Sequence, residues 1–393
     1  MFRRNRNQAT PTARTRRIQQ SLRQEEALRA QGIDPYAQDV AAAGAVATPR
    51  RGPSLKVVLL IALLLILVVV VGGGILLWQR VSAFNDSVST APAASSALWG
   101  PLGGEERVNI ALFGYGGEEH KSGNYLADSI QILSIDPKTD TTTAIPIPRD
   151  FWIEGFDELP DNGKINEAFA IGWANGGAQE AATATTELLS QVTGLEIHHW
   201  MAIDFAGFKD VIDAVGGVTL RNPTRFRYTW NEWRFQHGAW DHRFKRGMLT
   251  LTGEQALDYA RARYTDVPSE SSDFARSIRQ QRVLGALRAK LGDGGISSLG
   301  PGLSLMDALA GRMTTDLSAL DLFLLSSHIN PDHRIELKEG RILEATTNTI
   351  GQYILVVRHR DSSTDYRPLQ RYLERELAKP IPKKTPRPRA SGK

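Results

Sequence analysis

Cysteine is absent from the 393 residues of this chain. Without it the protein has no disulfide framework, no thiolate metal site and no thiol nucleophile. We also find no internal repeat. Apolar residues make up 41% of the chain, which is enough for the core of one large domain or two ordinary ones. The chain should therefore fold, and its chemistry must come from other side chains.

Acidic residues are scarce in residues 1–56, where arginines are crowded and large apolar residues are few. This composition predicts a disordered basic segment, apart from a helix near 18–29. Such a segment can contact nucleic acid or another protein, or it can set membrane topology and attract anionic lipid. We favour the second interpretation and expect no nucleic-acid partner.

A long apolar run without charged residues follows at 57–78. As a helix rising ~1.5 Å per residue, it spans roughly the ~30 Å hydrocarbon core of a bilayer. The run begins far from the first residue, so it predicts a transmembrane helix rather than a cleaved signal peptide. Cations concentrate before the run, at Arg50, Arg51 and Lys56. The positive-inside rule then places residues 1–56 in the cytoplasm and the rest outside the cell membrane.

The remaining chain divides into a linker, a folded domain and a tail. Residues 79–106 are small and polar and predict an extracytoplasmic linker, whereas 378–393 are basic and proline-rich and predict a disordered tail. Strand patterns alternate with helical patterns through 107–377, and Thr252 with Gln255 fits a capping box. Residues 221–250 are predicted as an extended loop or hairpin. The predicted fold class is α/β (α+β), with a mixed central β-sheet covered by helices behind one transmembrane helix.

An unusual density of arginine marks the segment 259–281. Asp273, Arg276 and Gln280 share one face of a predicted helix, because they are spaced i, i+3 and i+7. Arg261 and Arg263 stand near the end of the preceding helix and can reach a common anion. Guanidinium groups bind phosphate in a bidentate manner, so a convergent set suits pyrophosphate. The alternative is a solvated basic helix with ordinary ion pairs.

Two further segments place polar side chains at strand ends. Arg149 and Asp150 directly follow a predicted strand, and Asp128 starts another. Side chains at such positions commonly enter a site in sheet proteins. Together with the arginine-rich segment, these residues belong to an ordered series of short motifs: LADSI, IPRD, KINEAF, DFAGF, DAVGGV, LTGEQALDYARARY and DFARSIRQQ.

This series resembles the LytR-CpsA-Psr family of membrane-anchored bacterial phosphotransferases, strongly over 107–291 and more loosely to about 377. The resemblance implies transfer of a glycan phosphate from a polyprenyl-pyrophosphate carrier to a cell-wall hydroxyl, in peptidoglycan, usually with Mg²⁺. Teichoic acids and capsule polysaccharides are among the polymers attached. The implied partners are a polyprenyl-pyrophosphate-linked glycan, peptidoglycan and membrane lipid.

The family motifs also assign roles to residues of this chain. Arginines and Gln280 match the pyrophosphate-binding positions, Asp128 an acidic metal position, Asp273 a carboxylate within the arginine cluster, and Lys164 a basic residue at the site rim. Either Asp128 or Asp273 can accept the proton of the attacking hydroxyl. The implied catalytic residues are Asp128, Arg149, Arg261, Arg263 and Asp273, the substrate-binding residues are Lys164, Arg276 and Gln280, and the metal ligand is Asp128.

The chain departs from the family at two positions. Gly116 stands where the family commonly has a second aspartate, and Leu126 stands where an arginine is frequent. A replacement ligand can come from 118–120, or Asp128 and the pyrophosphate can hold the metal alone. We expect metal binding to be retained but weaker. The missing carboxylate also keeps open a non-catalytic receptor for lipid-linked or anionic glycans, and a hydrolase using water is a further alternative.

Two other features suggest how substrate is bound. The lipid tail of the donor needs an apolar groove, and segments 181–192 and 208–215 are candidates for its walls. Segment 228–240 is rich in aromatic and basic residues and can stack on sugars, or it can pack against the domain.

Overall fold

The structure, a computed structural model, describes residues 13–32, 55–90, 107–118, 125–229, 232–292, 299–325 and 333–381. The chain forms two compact units, Met1–Gly73 and Gly74–Lys393. In the first unit, helix α1 covers Ala13–Ala30 and confirms the helix predicted near 18–29. The other residues of the predicted cytoplasmic segment, and nearly all of the predicted tail, lie outside the described residues.

Helix α2 covers Leu55–Val88 and contains the predicted apolar run. In the part of the chain that the structure describes, one helix is long and apolar enough to cross a membrane. The helix continues ten residues past Trp78, where an extended linker is predicted. Its last two turns belong to the second unit, in which Phe84 and Val88 pack beside Met313. The start of the predicted linker is therefore part of the folded domain, and residues 91–106 lie outside the described residues.

The centre of the second unit is a six-stranded sheet in the order β12-β6-β1-β2-β3-β13. Strand β1 pairs antiparallel with β2 and parallel with β6, and β13 runs parallel to β3, so the sheet is mixed, as predicted. The strands are β1 Val108–Tyr115, β2 Ala127–Asp136, β3 Thr141–Ile147, β4 Trp152–Ile153, β5 Gly163–Lys164, β6 His199–Asp204, β7 Val218–Asn222, β8 Phe226–Thr229, β9 His242–Phe244, β10 Gly247–Leu251, β11 Tyr264–Thr265, β12 Met313–Thr315, β13 His333–Arg334, β14 Leu343–Thr347 and β15 Tyr353–Val357.

Helices cover both faces of this sheet. They are α3 Ile165–Thr193, α4 Phe205–Ala214, α5 Glu232–Gln236, α6 Gly253–Arg261, α7 Asp273–Gly292, α8 Leu299–Leu309, α9 Ala319–Leu325 and α10 Arg367–Leu377. Helix α3 packs on one face, where Phe169 and Leu188 join Phe113 and Ile132 of the sheet in the main core. Gly177 adopts a positive φ of 75° and lies at a kink within α3. Helix α9 covers the other face through Leu325.

Local sequence signals account for several helix boundaries. Thr252 and Gln255 form the predicted capping box at the start of α6. Ser272 caps α7 by accepting a hydrogen bond from the backbone of Ala275. The segment predicted as a loop or hairpin at 221–250 contains strands β8 and β9 with the short helix α5 between them. The sequence RIELKE at 334–339 is typical of a strand, but only His333–Arg334 pairs with β3.

Candidate functional site

A cavity of about 420 Å³ lies on the sheet face opposite α3, between the sheet and helices α4, α6, α7 and α8. One part of its wall is polar and the rest is apolar. The polar lining includes six residues that the sequence predicts as site residues: Asp128, Arg149, Arg261, Arg263, Arg276 and Gln280. Residues as far apart in the sequence as Asp128 and Gln280 therefore meet at one place, as the family motifs imply.

Sheet register brings Asp128 and Arg149 together. Asp128 is the second residue of β2, and Arg149 follows the end of β3 by two residues. Because β2 and β3 are antiparallel, with Ile130 opposite Ile147, the start of one strand and the end of the other share an edge. Nη1 of Arg149 donates to Oδ1 of Asp128 at 2.5 Å.

The surrounding positive charge keeps Asp128 ionised. Its side chain is only 20% exposed, and this burial raises the pKa of the carboxyl, but the neighbouring arginines lower the pKa by more. The arginines responsible are Arg149, Arg276 and Arg261. The net effect is a pKa below the usual range, so the carboxylate carries its negative charge at neutral pH.

Asp150 connects the cations of the site and is absent from the predicted site residues. Its side chain is 2% exposed and accepts a hydrogen bond from Nζ of Lys164 at 2.6 Å. Its other oxygen lies 3.7 Å from Nε of Arg149 and 4.0 Å from Nη2 of Arg263. Lys164 itself is not among the cavity-lining residues and contacts the site arginines only indirectly, through its hydrogen bond to Asp150. The sequence signal that could have identified Asp150 as a site residue is its position beside Arg149 directly after a strand.

Arg261 and Arg263 come from the end of α6. The guanidinium of Arg261 lies 4.2 Å from the ring centroid of Phe205, and that of Arg263 lies 6.0 Å from the ring of Tyr264. Stacking on aromatic faces fixes the plane of a guanidinium while leaving its edge available for an anion. This geometry suits the bidentate contacts that phosphate oxygens accept.

Two arginines of helix α7, Arg276 and Arg279, point in different directions. Arg276 faces the cavity and is 7% exposed, and Gln280 on the same face accepts a hydrogen bond from the Ser129 hydroxyl at 3.1 Å. Arg279 points away and is fully buried. The interpretation of α7 as a solvated basic helix is therefore wrong for both arginines. Asp273 begins α7, and its side chain lies outside the described residues.

Arg279 supports the segment that carries Arg261 and Arg263. Its guanidinium donates to the backbone carbonyls of Tyr259, Ala262 and Glu270 and to the Glu270 carboxylate at 2.7 Å. Ala262 is the C-cap of α6 and lies between the two site arginines. Burial lowers the pKa of Arg279, but its ion pair with Glu270 compensates for the buried charge. We infer a positioning role for this side chain.

The apolar part of the cavity has walls from five helices, α4, α6, α7, α8 and α9. Phe208 and Val211 come from α4, as the segment 208–215 predicts. The prediction for 181–192 is wrong, because that part of α3 is buried in the main core on the other face of the sheet. The other helical apolar residues are Phe205 of α4, Leu257 and Ala260 of α6, Leu284 and Leu287 of α7, Leu305 and Leu309 of α8, and Leu325 of α9.

A complete metal cage is not found among the residues whose placement is described, because they contain no group of three or more His, Cys, Asp or Glu side chains. Asp128 and Asp204 are the carboxylates in the cavity wall. Asp204 also caps α4, accepting from the backbone N–H of Gly207 at 2.6 Å. Magnesium is commonly held by one or two carboxylates plus substrate phosphates and water, so this donor set fits Mg²⁺ only with a phosphate ligand present. Of the replacement segment 118–120, only Glu118 is described, and it is exposed.

Comparison with known proteins agrees with this geometry. The model of the LytR_cpsA_psr family matches residues 82–365. Because that match covers more than half of the chain, the protein belongs to the LytR-CpsA-Psr family. The match begins within α2, consistent with the packing of the last turns of that helix on the domain.

Curated relatives in this family carry the name polyisoprenyl-teichoic acid–peptidoglycan teichoic acid transferase TagU. The relative from Oceanobacillus iheyensis is 30% identical over 255 residues, which cover 64% of this chain and 72% of the relative. The one from Bacillus cereus is 30% identical over 218 residues, which cover 56% of this chain and 63% of the relative. Membership in a family with transferase relatives confirms the predicted family and enzyme class.

Solved structures agree on the fold. TagV of Bacillus subtilis is 23% identical, with a TM-score of 0.51, and the match covers 70% of this chain and 98% of TagV. A Streptococcus agalactiae protein is 24% identical, with a TM-score of 0.53, and the match covers 74% of this chain and 94% of that protein. The mixed sheet covered by helices is thus confirmed, while the roles of individual site residues stay predictions.

Proposed function

We propose that this protein transfers a glycan phosphate from a polyprenyl-pyrophosphate-linked precursor to a hydroxyl of peptidoglycan. The observation that carries the proposal is the cavity itself, in which four arginines stand at one part of the wall and apolar side chains of helices and strands form most of the rest. A pyrophosphate joined to a long hydrocarbon chain has the same division of polarity. The names of the TagU relatives add support, because they describe a polyisoprenyl-linked donor and a peptidoglycan acceptor.

The proposed reaction breaks one P–O bond and forms another. The acceptor oxygen attacks the phosphorus attached to the glycan, the bond from that phosphorus to the bridging oxygen breaks, and polyprenyl phosphate leaves with the electron pair. A phosphodiester joins glycan and peptidoglycan, and the hydroxyl proton passes to a base. Arginines stabilise the charge that develops on the transferred group and the leaving group. The lowered pKa of Asp128 makes it a weak base, so orienting Arg149 and binding a metal fit it better than accepting that proton.

Mg²⁺ is the proposed cofactor, with Asp128 as its protein ligand and pyrophosphate oxygens completing the coordination. A bound divalent ion would neutralise charge on the donor. Affinity for Mg²⁺ should be low without phosphate, because Gly116 supplies no second carboxylate. Calorimetric titration of Mg²⁺ with methylene diphosphonate present tests this assignment. We expect binding that Asp128→Ala abolishes, and binding that is unchanged in the variant would refute it.

The proposed location is the cell membrane, with a single crossing by the apolar part of α2. Residues 1–56 would be cytoplasmic and the folded domain extracytoplasmic, since the cations concentrate before the apolar run. The polymer transferred is a teichoic acid, a capsule polysaccharide or a related glycan. This location gives the cavity access to a lipid-linked donor in the outer leaflet.

One observation favours a second candidate, a receptor that binds the same donor without turnover. Gly116 removes a carboxylate that the family commonly has near the metal. Release of polyprenyl phosphate by the full chain in nanodiscs distinguishes the two, with Arg149→Ala as the test variant and the exposed Arg221→Ala as its control. We expect Arg149→Ala to lower turnover about a hundredfold or more, since removal of one preorganised donor to developing charge has costs of that order. Tight donor binding without product in wild type would favour the receptor.

A further inference from the structure

The end of α2 fixes two other helices close to the place where its apolar run stops. Arg80 of α2 forms an ion pair with Asp307 of α8 at 3.1 Å. Five residues later, Oδ1 of Asn85 accepts a hydrogen bond from the backbone N–H of Ala319, the first residue of α9, at 2.9 Å. Asn85 is 2% exposed, so this contact is an interior one. The start of α9 is thereby tied to a rigid helix at a known distance from Trp78.

The distance from Trp78 to Asn85 is short compared with the thickness of a bilayer. Seven residues separate Trp78 from Asn85, and at ~1.5 Å per residue they span about 10 Å of helix axis. The headgroup region adds about 5–7 Å to each side of the hydrocarbon core, and interfacial helices bury their apolar faces ~5–10 Å into this boundary. With the apolar run of α2 in the membrane, the start of α9 therefore lies about 10 Å from the hydrocarbon core, just outside the headgroup region and within reach of it for a large side chain.

Helix α9 has an apolar face turned outward at this depth. Leu320 and Phe323, one helical turn apart, are 42% and 60% exposed. The opposite side of α9 is firmly packed, with Leu325 at 1% exposure and Asp321 accepting from the Ser318 hydroxyl at 2.7 Å. The outward orientation of Phe323 is therefore set by the packing of the helix.

The α2 segment that precedes the contact is also apolar and exposed. Ile75, Leu76 and Trp78 are between 52% and 65% exposed, which suits an apolar medium around them. Because Asn85 and Arg80 link this segment to α9 and α8, the exposed faces of both elements belong to the same end of the domain.

We propose that Leu320 and Phe323 form a membrane-contact face, which seats the domain on the outer leaflet. The occupant of this face is the bilayer boundary of lipid headgroups and acyl chains. The proposal rests on the membrane insertion of α2 given under the proposed function. Its consequence concerns the cavity, because Leu309 and Met313 line the cavity and also belong to the cluster around Phe84 of α2. Seating this end on the bilayer holds the apolar part of the cavity near the lipid.

The absence of cysteine allows a direct test with single-cysteine variants of the full chain. Phe323→Cys carries an environment-sensitive fluorophore in vesicles of phosphatidylglycerol and phosphatidylethanolamine, with and without brominated acyl chains. Leu67→Cys, on the exposed surface of α2, reports membrane insertion itself. Ile350→Cys is the matched control, since Ile350 is a 75% exposed apolar residue on the loop between β14 and β15.

We expect brominated lipid to quench the label at 67 and at 323 and to leave the label at 350 unchanged. Quenching at 67 without quenching at 323 would overturn the contact face while leaving the anchor intact. A label at 323 that is shielded from aqueous iodide as well as from brominated lipid would show that protein, such as a second copy, covers the face. Unquenched label at 67 would refute membrane insertion and the contact face together.

Discussion

Replacing Arg279 with lysine tests whether the buried part of α7 positions the arginines of the site. Arg279 makes four hydrogen bonds, three to backbone carbonyls and one to Glu270. Arg279→Lys keeps the charge that Glu270 requires, but an ammonium group cannot reach all the acceptors of the planar guanidinium fork. The carbonyls of Tyr259 and Ala262 then lose their donors.

The magnitude follows from those two acceptors. A buried acceptor left without a donor costs about 1–3 kcal/mol, so we expect the free energy of unfolding to fall by about 2–6 kcal/mol. Replacement by an uncharged residue would cost more, since the loss of the partner of the buried Glu270 adds about 3–5 kcal/mol. Arg282→Lys is the control, because Arg282 lies on the same helix and donates to the Tyr259 hydroxyl at 3.2 Å.

Measurements of activity distinguish a positioning role of Arg279 from a role in stability alone. Ala262 lies between Arg261 and Arg263, so release of its carbonyl shifts both guanidiniums. A misplacement of about 1 Å costs on the order of a hundredfold in rate, and we expect kcat/KM to fall by at least tenfold while KM changes less than kcat. Turnover is measured well below the melting temperature, with urea denaturation giving stability. A variant that is less stable but retains wild-type kcat would refute the positioning role, and unchanged stability would refute the inferred hydrogen bonding.

Three further predictions concern neighbouring residues. Asp150→Asn removes the common anion of Arg149 and Lys164, so the free energy of unfolding should fall by about 3–5 kcal/mol and turnover should fall with it. Denaturation and turnover assays check this against the exposed control Asp161→Asn. An equal effect of the two substitutions would contradict the prediction. Asp128 has a folded-state pKa below its unfolded value, so its contribution to stability is present above about pH 4 and lost as pH falls through the folded pKa. Wild type should therefore be more stable than Asp128→Asn at neutral pH, and the difference in unfolding free energy should shrink on acidification. A difference that grows on acidification would contradict the lowered pKa. Trp233 is 63% exposed and stacks on His237, and Trp233→Ala should weaken binding of soluble peptidoglycan fragments, whereas Met248→Ala, at a residue 67% exposed, should not.

The site residues were predictable from sequence because their local spacing carries the information. A separation of four residues puts Arg276 and Gln280 on one helix face, and the structure places both at the cavity. Strand ends likewise marked Asp128 and Arg149, and antiparallel pairing brought them together. The glycan interpretation of the aromatic segment stays open, because Trp230 lies outside the described residues and Phe235 packs 5.6 Å from Tyr264.

Features that depend on contacts between distant residues could not be read from local patterns. Arg80 and Asp307 are 227 residues apart, and nothing near Arg80 signals that α2 continues into the domain. The same holds for α8, which supplies part of the apolar cavity wall. Ile335 and Leu337 show why a strand was expected beyond β13, since their buried alternation is typical of a strand, although the ladder with β3 stops at Arg334.

The central claim is transfer of a glycan phosphate, and tracing that phosphate tests it most directly. A donor with radioactive phosphorus in the phosphate attached to the glycan is incubated with the full chain, Mg²⁺ and peptidoglycan fragments. We predict that the label becomes covalently attached to peptidoglycan with wild type and not with Arg149→Ala. Label released as free glycan phosphate would indicate hydrolysis, and label retained in bound, unreacted donor would indicate a receptor; either result would contradict the account.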